Sequence, residues 1–177
     1  MAVIERFEGT VAQAVALTEE VQREYLSWCG ERFAAEYGFV FEDRGSSLAA
    51  HEREFTRELP RLLGARGRLV VARSDSEVVG MGALKPVDER VGEIKRMYVR
   101  PQVRGQGVGR AILETLVADA RVLGYDVARL ETATFMCDAQ ALYRARGFKE
   151  IPKFENAEAE VSGLEAFMLF MELRLAG

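Results

Sequence analysis

The fold is decided by the stretch Met97-Tyr98-Val99-Arg100-Pro101-Gln102-Val103-Arg104-Gly105-Gln106-Gly107-Val108-Gly109-Arg110. Its residues indicate a strand, then a glycine-rich turn, then the start of a helix. Three glycines at alternate positions leave backbone N–H groups uncovered, and the helix N-terminus adds a partial positive charge. Arg104 and Arg110 add full positive charges. The stretch therefore predicts a site that holds a phosphate group, mainly through the main chain.

Neither standard nucleotide-binding pattern fits this turn. A Walker loop needs Lys and then Ser or Thr after its last glycine, whereas Gly109 is followed by Arg110 and Ala111. The dinucleotide fingerprint needs a third glycine three positions after the second, and that position holds Arg110. A glycine turn that only begins a helix, with no ligand, stays as the simple alternative.

The residues after the turn have the periodicity of an amphipathic helix. Apolar side chains recur at steps of three and four residues, at Val108, Ile112, Leu113, Leu116, Val117, Ala120 and Leu123. Gly124 is placed to end this helix in a left-handed conformation. Residues 127–132 have the composition of a further strand, so the whole segment predicts a parallel crossover unit.

Two motifs, taken together, resemble one known family. The first is Arg104-x-x-Gly107-x-Gly109 preceded by M-Y-V-x-P, and it resembles the acetyl-CoA-binding motif of the GNAT superfamily of N-acetyltransferases. The second lies downstream, where Ala139, Tyr143 and Gly147-Phe148 match the A-x-x-x-Y-x-x-x-G-F element of the same superfamily. The resemblance covers roughly residues 68–150.

The resemblance implies a GNAT fold of the α/β (α+β) class, a mixed sheet of six or seven strands with helices on both faces. The sequence supplies candidate strands at residues 2–7, 68–73, 78–84, 92–99, 127–132 and 166–173. Candidate helices cover residues 10–36, 47–63, 108–123 and 139–146, with loops at 38–46 and 155–160. Gly80 and Gly82 lie inside a strand, which indicates a bulge or the close approach of another group.

The resemblance also implies acetyl-CoA as co-substrate. Its pyrophosphate is expected on the N–H groups of Arg104, Gly105, Gln106, Gly107, Val108 and Gly109, with Arg110 near the ribose phosphate. Main-chain groups of Met97 and Val99 are expected to pair with the pantetheine amides. Many family members have asparagine seven residues before the tyrosine, where this chain has Met136.

Acetyl transfer to an amine requires two proton movements. An alkyl amine has a pKa near ~10.4, so making it nucleophilic at neutral pH costs roughly 4 to 5 kcal/mol, and a base that accepts the proton helps. The departing thiolate needs a donor. The resemblance assigns these roles to Glu93 and Tyr143, with Glu131 as the alternative base. Glu93 and Lys95 could instead form a solvated charge pair, and Tyr143 could be a core aromatic residue.

Composition narrows the class of protein. A length of 177 residues suits one domain, residues 1–177, with the motifs at about 68–150. The net charge of −4 and the absence of a basic run of five or more argue against nucleic acid as a partner. The first residues lack the pattern of a signal peptide, and no apolar segment approaches ~20 residues. We therefore expect a cytoplasmic protein that acts on small soluble substrates away from membranes.

The positions of the cysteines and the histidine argue against a metal site. Cys29 and Cys137 are far apart and outside any metal-ligand cluster, so reduced structural thiols are expected. His51 is the single histidine and lies among charged residues, which indicates a solvated helix face. No nucleophile turn of the G-x-S-x-G type accompanies it.

The sequence thus predicts an acyl-CoA-dependent N-acetyltransferase that modifies a primary amine of a small molecule or peptide. A non-catalytic module that senses acetyl-CoA, or an enzyme that transfers another acyl group, remains open. The acceptor cues conflict: acidic residues at 155–160 favour a cationic amine, whereas Lys95 and Arg96 favour an acceptor that carries a carboxylate. The apolar segment 166–173 predicts either a buried strand or a homodimer interface.

Overall fold

A computed structural model of the chain describes residues 2–41, 47–155, 157–158 and 163–175. The predicted loops at 38–46 and 155–160 therefore lie partly outside the described residues. The described residues form seven strands: β1 (Val3–Arg6), β2 (Arg68–Ser74), β3 (Glu77–Pro86), β4 (Val91–Val99), β5 (Val127–Ala133), β6 (Lys149–Ile151) and β7 (Met168–Arg174). They make one sheet in the order β1-β2-β3-β4-β5-β7-β6. Only the β4–β5 pair is parallel.

Among the described residues, four helices accompany the sheet: α1 (Val11–Tyr37), α2 (Leu48–Leu62), α3 (Val108–Val122) and α4 (Cys137–Arg146). A capping box between Thr10 and Gln13 begins α1, because each side chain bonds to the other residue's backbone N–H. Gly38 ends α1 with φ 62°. Gly124 follows α3 with φ 79°, which confirms the predicted left-handed glycine there.

The helices pack on both faces of the sheet, as predicted. The core on one face joins α3 and α4 to β2–β5 through residues such as Ile112, Leu116, Leu130 and Tyr143. The core on the other face joins α1 and α2 to β2–β4. An aromatic third cluster extends from α1 to β5 and β7. The sheet thus separates an α3/α4 side from an α1/α2 side.

A bulge in β4 reverses the alternation of its side chains. The pairing of β3 with β4 changes register between Met81 and Ala83, and Arg96 takes φ 56°. A Cβ atom on Gly82 would lie 2.7 Å from Met97 Sδ. The bulge and this close approach confirm what Gly82 predicts within a strand.

The C-terminal apolar segment forms an interior strand. Residues 165–167 make a short 3₁₀ turn, so β7 begins at Met168, two residues later than predicted. Strand β7 pairs with β5 on one side and β6 on the other. This double pairing accounts for the apolar pattern without a dimer interface.

Candidate active site

The glycine-rich loop between β4 and α3 presents bare backbone. Gly105 and Gly107 take φ 76° and φ 81°, and no atom lies within 4 Å of where a Cβ would stand on either. Gly107 begins α3 without a side-chain cap. The N–H groups of the first turn, including Val108, Gly109 and Arg110, therefore have no acceptor within the helix. The loop and helix start together form a cradle suited to an anion.

Arg104, which is predicted to contact the diphosphate, has partners within the protein. Its backbone N–H donates to the carbonyl of Pro101 at 3.2 Å. Its side-chain Nε donates to the carbonyl of Val99 at 2.9 Å, and the guanidinium lies 5.4 Å from the centre of the Trp28 ring. The N–H groups of residues 105–110 are further candidates for the anion, and the role of Arg104 stays a prediction. The Val99 carbonyl has two lone pairs, so it can accept from pantetheine as well as from Arg104.

Strands β4 and β5 part to form a wedge. They pair only from Val91 to Glu93 against Val127 to Arg129. Beyond this point, among the described residues, the two strands share no ladder. The main chain of Met97 and Val99 therefore faces the wedge without a strand partner on the β5 side. A linear amide chain could add to β4 there in the manner of an extra strand.

The bulge distributes the side chains of β4 to the two sides of the sheet. Met97 and Val99 pack on the α3/α4 side, in the cluster that contains Tyr143. Lys95 and Arg96 both contact Glu58 of α2, so they lie on the α1/α2 side. The α3/α4 side of β4 is therefore apolar at Met97 and Val99, whereas its α1/α2 side carries the charged residues.

Tyr143 is a buried residue at the α3/α4 side of the wedge. Its ring centre lies 5.9 Å from that of Phe148. Burial raises the pKa of Tyr143 and keeps the hydroxyl protonated across the neutral range. The residue packs as a core aromatic, and it also retains a proton that could be donated.

Glu93 lies where the wedge begins. It is 1% exposed, and its Oε2 atom lies 3.4 Å from Lys85 Nζ. Its Oε1 atom is buried and has no hydrogen-bond partner among the described residues. The alternative of a solvated pair with Lys95 is wrong, because both side chains are buried. A buried carboxylate oxygen without a partner is costly, and it is an ordinary position for a bound water or a reacting group.

A cavity of about 710 Å³, including its open mouth, lies on the α1/α2 side of the wedge. Its apolar lining comes from α1, β5, β7 and the connecting segments, and includes Leu26, Phe33, Phe41, Ala133, Leu164 and Met168. Its polar lining includes Tyr25, His51, Lys95, Arg96, Glu131 and Glu158. The mixed apolar and polar lining is typical of a small-molecule site.

A cluster of buried charges forms the floor of this cavity. Lys95 Nζ lies 2.8 Å from Glu58 Oε1 and 3.0 Å from Glu158 Oε2. Arg96 Nη2 lies 3.0 Å from Glu158 Oε1. Lys85 Nζ lies 3.1 Å from Glu58 Oε1. Each carboxylate therefore contacts at least two cations.

The cluster keeps its members ionised. Burial opposes ionisation of Glu158, but Arg96, the hydrogen bond from His51, and Lys95 hold the pKa of Glu158 well below its usual range. Burial also opposes ionisation of Glu58, yet Lys95 and Lys85 lower its pKa. Burial alone would lower the pKa of Lys95, but the carboxylates around it, Glu158 first, raise it.

The stability of the protein is expected to fall as the pH drops below 4.5. The folded pKa values of Glu58 and Glu158 lie below their ordinary value of 4.5, so the unfolded chain takes up protons first. Between 4.5 and the folded pKa, each such carboxyl contributes a slope of about 1.4 kcal/mol per pH unit. Urea unfolding at about pH 7 and about pH 3.5 measures this loss in the free energy of unfolding.

Two variants show whether Glu58 contributes to that loss. Glu58→Gln cannot ionise at this position, so its loss between the two pH values should be smaller than that of the wild type. Glu114→Gln removes an exposed carboxylate of α3 and should behave as the wild type. An equal loss in the wild type and Glu58→Gln would contradict the assignment.

Sequence reasoning missed the place of three residues in the cavity, namely His51, Glu158 and Cys29. His51 is not on a solvated face: its side chain is 15% exposed, lies edge-on to Phe41, and has Nδ1 3.8 Å from Glu158 Oε1. The side chain of Glu158 contacts Lys95 and Arg96, although it lies in a segment that was predicted as a polar loop. Cys29 is a free buried thiol as expected, and burial raises its pKa to about 12, but it also lines the cavity.

In the described part of the chain, no group of three His, Cys, Asp or Glu side chains could hold a metal ion. No helix in the same residues combines the length and apolar character needed to cross a bilayer.

The bare-amide loop and the strand wedge beside it suit an acyl-CoA carrier, and the polar cavity beyond them suits a small acceptor. The chain belongs to the acetyltransferase (GNAT) family, whose model matches residues 18–148. An IAA acetyltransferase of Azospirillum brasilense is 38% identical over 106 residues, or 59% of this chain. The chain spans 66% of the length of that relative, just under two thirds.

Solved structures share the fold. A proposed acyl-CoA N-acyltransferase of Klebsiella pneumoniae matches with a TM-score of 0.68 and 26% identity over 99% of both chains. A proposed acetyltransferase of Salmonella typhimurium, solved with its cofactor acetyl-CoA, matches with a TM-score of 0.63 and 18% identity, over 100% of this chain and 95% of that one. These matches confirm the predicted GNAT fold.

Proposed function

We propose that this protein transfers an acetyl group from acetyl-CoA directly to a primary amine of a small molecule or peptide. One observation carries the proposal: the wedge between β4 and β5 runs from the anion cradle to the polar cavity. A thioester held along the wedge would therefore meet an acceptor that enters from the cavity.

The residues present fit acetyl-CoA. The N–H groups of residues 105–110 are suited to its diphosphate, and Arg110 adds a positive charge at the start of α3. The unpaired main chain of Met97 and Val99 is suited to the pantetheine amides. When bound, acetyl-CoA supplies an acetyl thioester, which an amine can attack without a covalent enzyme intermediate.

The proposed step uses one residue on each side of the wedge. The amine nitrogen forms a bond to the acetyl carbon while the bond from that carbon to sulfur breaks. Glu93 takes the proton that the amine loses, through a water at its unpartnered Oε1 atom. Tyr143 donates a proton to the departing sulfur, for which burial keeps it protonated. Glu131, which lines the cavity directly, is the alternative base.

The function is tested by the release of free CoA thiol. Purified protein with acetyl-CoA and a panel of amines should release thiol only with certain amines, and mass spectrometry should find the acetylated product. The panel should include amino acids, polyamines and a lysine peptide. Binding of acetyl-CoA without turnover on any of them would contradict the proposal and support a sensor module instead.

Tyr143→Phe is expected to lower kcat at least about tenfold, because it removes the proposed donor and little else. The affinity for acetyl-CoA, measured by calorimetry, should stay within about twofold. Tyr125→Phe is the matched control: it removes another buried hydroxyl of the same core, one that donates to the carbonyl of Arg66 at 2.8 Å. Full activity in Tyr143→Phe would exclude the donor role.

A further inference from the structure

Two neighbouring cations are turned into the cavity by the bulge of β4. Because Arg96 takes φ 56°, the side chains of Lys95 and Arg96 both lie on the α1/α2 side. Their side chains are 6% and 5% exposed, and both line the cavity. Guanidinium and ammonium groups buried side by side need a carboxylate, since the free energy of burying unpaired charge is high.

Glu158 supplies that carboxylate from outside the sheet. One of its oxygens lies 3.0 Å from Lys95 Nζ and the other 3.0 Å from Arg96 Nη2. It belongs to the connection between β6 and β7, and its side chain is 29% exposed, far more than the cations that it bridges. Its contacts are those that a carboxylate of a bound ligand would make.

Glu131 provides a second carboxylate beside that of Glu158. Its Oε1 atom accepts the backbone N–H of Glu158 at 2.7 Å, so its carboxylate lies next to the one that bridges the cations. It is carried by β5, on the edge of the wedge. An ammonium group next to Glu131 would therefore be close to where the thioester is expected.

We propose that the acceptor is an amino acid with a large apolar side chain, whose carboxylate takes the place of the Glu158 carboxylate on Lys95 and Arg96. This inference rests on the proposed function. The amino group then faces Glu131 and the wedge, and the side chain packs against Phe33 and Phe41 in the apolar part of the cavity. Glu158 acts as an internal competitor that keeps the two cations neutralised until the acceptor enters.

Three acceptors that differ at one group test the carboxylate requirement. L-phenylalanine carries it, L-phenylalaninamide replaces it with a neutral amide, and 2-phenylethylamine lacks it. A charge-assisted pair at Lys95 and Arg96 should raise kcat/KM for L-phenylalanine by about 10- to 100-fold over either of the others. Equal or better use of the amide or the amine would overturn the inference while leaving acetyl transfer to amines established.

Glu158→Gln tests the competitor role, because it removes the charge and keeps the backbone N–H that Glu131 accepts. The preference for L-phenylalanine over 2-phenylethylamine, as a ratio of kcat/KM, should rise about tenfold. Glu155→Gln, an exposed neighbour in the same connection, should leave the ratio unchanged. A fall or no change in Glu158→Gln would contradict the competitor role, since a merely structural residue would not sharpen the preference.

A binding experiment keeps the inference testable if no amine is acetylated. The probe is 3-phenylpropanoate, which has the carboxylate and the ring but no amine. It should bind Glu158→Gln about tenfold more tightly than the wild type, as measured by calorimetry. Tighter binding without any turnover would support the carboxylate site and count against the proposed function. Equal binding, or none to either protein, would overturn the carboxylate site.

Discussion

Gly107→Glu is expected to abolish the binding of acetyl-CoA. Gly107 takes φ 81°, where a side chain is strained, and it begins α3 with no cap. A glutamate there would place a negative charge at the helix N-terminus, where the diphosphate is expected, and its carboxylate could itself cap the free N–H groups. Calorimetry should show the affinity reduced at least about 100-fold, since the diphosphate would lose its amide partners and meet a like charge.

A control variant must separate the effect of backbone strain on acetyl-CoA binding from the effect of placing a charge in the loop. Gly124 offers a matched control: it follows the other end of the same helix with φ 79°, and it too has no atom within 4 Å of a built Cβ. Gly124→Glu therefore carries the same strain and the same charge, far along α3 from the loop. It should bind acetyl-CoA as the wild type does. Unchanged affinity in Gly107→Glu, or equal loss in both variants, would remove the loop from the binding site.

The parts of the molecule that local sequence determines could be predicted. The loop at 104–109, the helix that follows it and the crossover to residues 127–132 depend on glycine conformations and on a short apolar period, both of which are encoded within about twenty residues. The glycines of β3 likewise indicated the bulge, because their missing side chains leave room for Met97 and Ile112. The structure confirms the predictions made for these elements.

The charged floor of the cavity could not be predicted, because it is assembled over long distances in the chain. Glu58, Lys95 and Glu158 come from a helix, a strand and a connecting segment, and each has the sequence surroundings of an exposed residue. Exposure is the usual state of Lys and Glu, so only the paired arrangement reveals that these are buried. His51 was misjudged for the same reason: its charged neighbours along α2 say nothing about the Phe41 ring that covers it.

Arg104 shows a different limit. Its position in the motif predicts a phosphate contact, and the sequence contains no sign that the side chain reaches back to the Val99 carbonyl and the Trp28 ring. Trp28 lies in α1, more than seventy positions earlier. The motif therefore predicted the loop, whereas the partners of Arg104 within the protein depend on a distant helix.

Glu93→Gln is expected to lower kcat about 100-fold or more, the usual effect of losing a general base. Glutamine keeps the shape of the side chain but cannot take the amine proton. Because the substitution also breaks the ion pair with Lys85, that contribution is measured separately with Lys85→Gln, which breaks the same pair and keeps the carboxylate. Lys85→Gln should lower kcat by less than about tenfold, since the base itself remains.

The comparison with Glu131→Gln decides which carboxylate accepts the proton. Glu93 is covered by Lys85 and reaches the amine only through water, whereas Glu131 lines the cavity and is placed to hold an ammonium group. If Glu93 is the base, Glu131→Gln should act mainly on KM, and the acid limb of the pH profile of kcat should vanish only in Glu93→Gln. If the limb vanishes in Glu131→Gln and persists in Glu93→Gln, Glu131 is the base. Glu93 then acts only to neutralise Lys85 beneath the site.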